Sequence, residues 1–153
     1  MKKYLFVLAI ICAISSVETL SAQDYKMAIG LRLSNSSPTL NNSVTGKYFL
    51  NPESAIEGIL SFGSRFALGA LYEKHKGINV PGLRYFYGVG AYVGIDGGRG
   101  YVGPTGILGL DYKFEGLPLN LSLDWKPELD IIPRIAFIPD AFGLSARFTL
   151  NQF

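Results

Sequence analysis

The single histidine, His75, lies two residues after Glu73, and serines stand at Ser61 and Ser64. Serine, histidine and a carboxylate are the parts of a nucleophilic hydrolase, in which the imidazole takes the serine proton and the acid fixes the imidazole. In an extended chain, residues i and i+2 share a face, so Glu73 can orient His75. The serine must then come within about 3 Å of the ring. A second set of groups is ionic: Lys26, Arg32, Lys47, Glu57, Glu73, Arg84, Asp111, Lys113, Asp124, Lys126 and Arg147. Charges of both signs on one face can neutralise one another in a filled interior or line a pore. The run Gly94–Gly103 (GIDGGRGYVG) is rich in glycine but lacks the Lys-Ser/Thr of a phosphate loop, and no helical pattern follows it. No Cys/His cluster is present, so neither a metal nor a cofactor is expected.

The elements that must position these groups are strands. From Gly103 to Pro127 the chain alternates: Leu119, Leu121, Leu123 and Trp125 share one face, and Asn120, Ser122, Asp124 and Lys126 the other. Leu108, Leu110, Tyr112 and Phe114 repeat the apolar face before the turn Glu115–Pro118, with Ile107 as an exception on the polar side. A period of two marks a strand with unlike faces, and the short join marks a hairpin. Similar runs cover Tyr25–Ser34, Thr45–Leu50, Ala55–Phe62, Phe66–His75, Leu83–Ile95 and Ala141–Leu150, giving eight strands with the hairpin's two. Ile59 and Leu71 fall on the wrong face, and Phe86 and Tyr92 share the face of Arg84. Asn35–Ser43, Asp96–Gly100 and the apolar, proline-rich Pro127–Pro139 read as loops.

Lys2-Lys3, the apolar run Tyr4–Ile14 and Leu20-Ser21-Ala22 have the layout of a secretory signal peptide over residues 1–22, cleaved near Ala22. Residues 23–153 then form one domain without cysteine, since Cys12 leaves with the signal. The whole chain carries a formal net charge of +2, and loss of Lys2, Lys3 and Glu18 brings it closer to neutral. That excludes the basic footprint of a nucleic-acid binder.

An up-and-down antiparallel sheet avoids open edges by closing into a barrel. A soluble lipid carrier would point its apolar face inward; a membrane barrel points it at lipid. Here the apolar face is Leu, Val, Ile, Tyr, Phe and Trp, too bulky for a small interior, and the other is Gly, Ala, Ser and Thr with charges. The fold class is therefore an all-β, eight-stranded antiparallel transmembrane barrel in the outer membrane of a Gram-negative cell. Tyr25, Tyr48, Tyr72, Tyr85 and Tyr112 are expected at the periplasmic lipid interface, and Trp125, Phe62, Phe66 and Phe142 at the outer one. The expected external loops are Asn35–Val44, Gly63–Arg65, Asp96–Gly103 and Pro127–Asp140. This topology puts His75 near the periplasmic floor and Ser64 at the outer rim, about a strand length apart, so no enzyme is expected.

The segments GLRLS (Gly30–Ser34), GKYFLN (Gly46–Asn51), PGLRYFYGVGAYVG (Pro81–Gly94), GILGLDYKF (Gly106–Phe114), PLNLSLDWKP (Pro118–Pro127) and GLSARFTL (Gly143–Leu150) resemble the small outer-membrane β-barrels of Bacteroidetes-type bacteria. The resemblance implies an eight-stranded barrel similar in build to OmpX and the OmpA membrane domain, with no assigned reaction. The function expected is a structural or surface-binding role for a monomer in outer-membrane lipid. A salt-bridge-filled barrel would present external loops to an envelope or extracellular partner. A lipid-modifying enzyme and a narrow, porin-like pore are the alternatives. The apolar segment Ile131–Ile138 is the candidate interaction surface: it can dip into the outer leaflet, bind a hydrophobic partner or fold over the mouth.

Overall fold

The computed structural model describes residues 25–35, 39–63, 65–139 and 141–150. The expected signal segment, Ser64 and the terminal Phe153 lie outside the described residues. The chain forms β1 (Met27–Ser34), β2 (Ser43–Asn51), β3 (Ser54–Phe62), β4 (Phe66–Gly77), β5 (Leu83–Asp96), β6 (Arg99–Lys113), β7 (Leu119–Trp125), β8 (Glu128–Asp130), β9 (Ala136–Ile138) and β10 (Phe142–Leu150). Neighbours from β1 to β7 pair antiparallel, except that β10 stands between β7 and β1 and closes the barrel. The wall thus has eight strands, all antiparallel, with β8 and β9 as an outgrowth at one end.

The alternation of the sequence becomes the two faces of this wall. Leu31, Val89, Leu144 and Phe148 point outward and are 61%, 69%, 54% and 63% exposed. Arg32, Lys47, Glu57, Glu73, Asp111, Asp124, Lys126 and Arg147 point inward and are buried. The apolar residues that broke the pattern also point inward. Ile59, Leu71, Phe86, Tyr92 and Ile107 pack with Leu40 and Ala67 into one buried cluster. They are the apolar filling of an otherwise ionic interior.

The small residues of the inner face make room for this filling. A Cβ at Gly109 would stand 2.7 Å from Cε1 and Cζ of Phe86, and one at Gly143 would collide with the Arg32 guanidinium. An eight-stranded barrel has an interior just wide enough for side chains, so each large inward group needs a small one facing it.

Four expectations are corrected. Tyr25 is buried inside rather than set in the lipid interface: it precedes the ladder, which starts at Met27, and its ring meets Phe49 edge-on at 5.4 Å. Lys26 correspondingly lies outside, half-buried, with Nζ 5.6 Å from the centre of the Tyr48 ring. The glycine-rich loop shrinks to Gly97-Gly98, because β5 and β6 pair without a slip up to Asp96 and Arg99. Both glycines have positive φ (53° and 81°), as a tight two-residue hairpin turn requires.

The segment Pro127–Pro139 is not a loop but mostly a ribbon, β8 with β9. Thr105 faces Glu128 in the same register in which Leu108 faces Trp125, so β8 continues the line of β7 past Pro127. The proline has no N–H for the ladder, yet its carbonyl still accepts from the Gly106 amide at 3.1 Å and the Thr105 hydroxyl at 2.9 Å.

Gly109→Val is expected to lower stability by about 2 kcal/mol, because the barrel cannot widen around Phe86. Urea unfolding followed through the fluorescence of Trp125 measures this, and an unchanged midpoint would show that the inner face has slack there.

Candidate functional site

The inside of the barrel divides into a floor, an ionic middle and a mouth. The floor lies at the end of the Asn51–Ser54 and Gly77–Leu83 turns. Phe49 packs against both Tyr25 and His75, and His75 stacks on Phe86 with ring centres 5.0 Å apart and planes within 13°. This layer is aromatic across β2, β4 and β5.

Above it, Lys47 Nζ lies 2.8 Å from Glu73 and 3.9 Å from Glu57, and 4.4 Å from the centre of the Phe86 ring. Arg147 donates to the other oxygen of Glu57, and its Nη1 donates to Ser122 Oγ at 2.5 Å. Thr45 donates to Glu57 as well. Two cations and two carboxylates from β2, β3, β4 and β10 thus form one knot across the bore. Higher up, Arg32 grips Asp124 with two parallel bonds, Nε to Oδ2 at 3.1 Å and Nη2 to Oδ1 at 2.6 Å. Such a fork is the strongest arrangement available to an arginine–carboxylate pair.

The mouth joins Lys126 to residues that the sequence reading left out, Glu128, Asp130, Thr39 and Leu40. Lys126 Nζ lies 2.5 Å from Glu128, and Glu128 accepts from the backbone amides of Thr39 and Leu40 at 2.7 and 3.1 Å. The segment expected to be an external loop therefore turns inward: Thr39, Leu40 and Asn41 are buried, and Leu40 joins the apolar cluster. Asp130 accepts from the Tyr92 hydroxyl at 2.7 Å and from Arg65 Nη1 at 3.2 Å. The missed signal was the continuation of parity past Pro127. Glu128 and Asp130 extend the inner face of Asp124 and Lys126, and Pro127 sits harmlessly on the other.

Of the expected interior charges, Arg32, Lys47, Glu57, Glu73, Asp111, Asp124 and Arg147 are buried together, while Arg84 is half-buried at the floor and donates to Pro52 O at 2.7 Å. Of the expected interface aromatics, Tyr48, Tyr72 and Trp125 are 40%, 44% and 37% exposed, Tyr85 and Tyr112 are half-buried, and Tyr25 is inside.

Of the hydrolase parts, Glu73 and His75 meet, Ser61 does not reach them, and Ser64 lies outside the described residues. His75 Nε2 meets Glu73 Oε2 at 2.9 Å, but Ser61 pairs with Ala67, and His75 lies further along β4. At ~3.3 Å per residue the separation is roughly 26 Å. The Ser61 hydroxyl has no hydrogen-bond partner among the described residues. Among the described residues no group of His, Cys, Asp and Glu is placed to hold a metal ion.

Compared with family models, curated proteins and solved structures, the chain shows no match.

Arg147→Met is expected to cost about 3–5 kcal/mol, since it strands a buried carboxylate on Glu57. Adding Glu57→Gln should recover most of that loss in urea titrations. No loss in the single variant would mean that Lys47 neutralises Glu57 without help.

Proposed function

We propose that the protein is an integral outer-membrane barrel with a structural or surface-binding role, presenting its mouth and rim from a rigid, plugged scaffold. The observation that carries this is the inversion of the wall, with a belt of exposed Leu, Val, Ile and Phe outside and buried ion pairs inside. Water-soluble monomers rarely expose apolar patches beyond a few hundred Å². The bilayer core instead favours such a belt and penalises charge within it. In this reading the short turns lie in the periplasm and the ends that carry Thr39, Arg65, Gly97 and the β8–β9 ribbon face outward. Ile131, Ile132, Ile135 and Phe137 on that ribbon are exposed and sit where outer-leaflet lipid would meet the rim.

The plugged bore supports a passive role over conduction. The aromatic floor, the Lys47–Glu57–Glu73–Arg147 knot and the inserted Leu40 lie in series along the axis. Kinship with the small outer-membrane barrels of Bacteroidetes-type bacteria is part of the proposal. It rests on the segments quoted above and on the strand number.

Two measurements test the reading. The mature chain should partition with outer membranes and migrate differently on gels with and without heating; a water-soluble product would overturn the lipid-facing assignment. Leu31→Arg, in the middle of the belt, should lose about 2–4 kcal/mol of stability in lipid vesicles. An exposed side chain on a water-facing wall would tolerate that change within about 0.5 kcal/mol.

A further inference from the structure

The outer mouth holds a cavity of about 380 Å³ lined by Arg65, Arg99, Tyr101, Asp130, Pro133, Arg134 and Ala136. Three elements build it: the hinge between β3 and β4, the start of β6 and the tip of the β8–β9 ribbon. Arg99 and Tyr101 share the parity of Gly103, Thr105 and Ile107, so the cavity continues the inner face above the plug.

Its electrostatics are one-sided. Three guanidinium groups face one carboxylate. That carboxylate, Asp130, is already engaged by Arg65 at 3.2 Å, Tyr92 at 2.7 Å and Thr39 at 3.4 Å. Arg65 is fixed from two sides: Nη1 donates to Thr39 Oγ1 at 2.5 Å, and its guanidinium carbon lies 3.6 Å from the centre of the Tyr101 ring. The guanidinium groups of Arg99 and Arg134 make no hydrogen bond or ion pair among the described residues. A fixed arginine with two uncommitted ones beside it can engage an oxyanion through several N–H groups at once.

We propose that this cavity binds a phosphomonoester carried on a sugar-sized body. The phosphate would sit among Arg65, Arg99 and Arg134, whose excess of positive charge matches the charge of about −1.5 to −2 on such a group at neutral pH. The volume is within the range of small-ligand pockets, roughly 300–1,000 Å³. It leaves room for a ring against Tyr101 and Pro133. The same chemistry is offered by a phosphorylated glycolipid headgroup in the outer leaflet and by a free sugar phosphate. The inference gives the surface-binding role its ligand and rests on that reading for the outward placement of the mouth.

The experiment is isothermal titration calorimetry on the mature chain folded in a zwitterionic detergent, where membrane orientation plays no part. Binding and topology can therefore fail separately. The probes are glucose 1-phosphate, glucose, and phosphorylated or enzymatically dephosphorylated lipid A in mixed micelles. At least one phosphorylated probe should bind, at least tenfold tighter than its unphosphorylated counterpart. Arg99→Gln/Arg134→Gln should weaken it tenfold or more while keeping the heat-modifiable gel mobility of the folded barrel. Saturation by glucose 1-phosphate would assign a soluble source, and saturation by lipid A alone a headgroup; either supports the proposal. Absence of binding by both phosphorylated probes would overturn it. So would equal affinity with and without the phosphate, or an unchanged affinity in the double variant.

Discussion

Glu57 meets Arg147 from β10 and Lys47 from β2 on the axis of the barrel, and Lys47 passes the contact on to Glu73. The rest of the structure depends on this exchange. Moving an isolated carboxylate or ammonium into a dry interior costs several kcal/mol even after relaxation. An inner face that carries this many charges must bring opposite charges together. The knot does so with residues far apart in sequence, and these residues come within reach only when β10 pairs with β1. Ring closure and charge neutralisation are thus one event. An open sheet would leave Arg147 and Glu57 on strands that never meet.

The same constraint explains the composition of the inner wall. Ion pairs alone cannot fill the bore, because long side chains leave gaps at their bases. Leu71, Ile59 and Leu40 fill the level above the knot, and Tyr25, Phe49, His75 and Phe86 seal the level below. Phe86 joins floor and knot, lying under the ammonium of Lys47 and stacked on His75. His75 is accordingly one plate in an aromatic floor with Glu73 as its hydrogen-bond partner, and Ser61 lies far from it along the barrel. The Glu73–His75 pair is thus built into the packing of the floor.

Rigidity carries upward to the rim. Glu128 ties Lys126 to the backbone of Thr39 and Leu40, and Asp130 ties Tyr92 to Arg65. The mouth is therefore a continuation of the barrel's own ion-pair column, closed by a segment that folds inward. Committed carboxylates lie below and uncommitted arginines lie above. That gradient gives the barrel a polar, shaped upper surface instead of a set of loose loops.

The sequence by itself determined the wall. A period of two with unlike faces settles strands, strand number and which face is ionic, because side-chain direction in an extended chain follows parity alone. It also determined the inward set Arg32, Lys47, Glu57, Glu73, Asp111, Asp124 and Arg147, as these follow from the same parity. Parity loses its grip where the ladder starts, which is why Tyr25 turned inward and Lys26 outward. Composition misled at two places. Glycines and prolines signalled loops in Asp96–Gly100 and Pro127–Pro139, yet the first is the tip of a long hairpin and the second a ribbon, since each has a partner strand to pair with. Only the tertiary structure decided who pairs with whom across the bore, that Leu40 turns into the apolar cluster, and that Arg65, Arg99 and Arg134 converge on one cavity. The physical reason is that convergence depends on ring closure and strand register, which bring distant positions to one axis, and no local period encodes that distance.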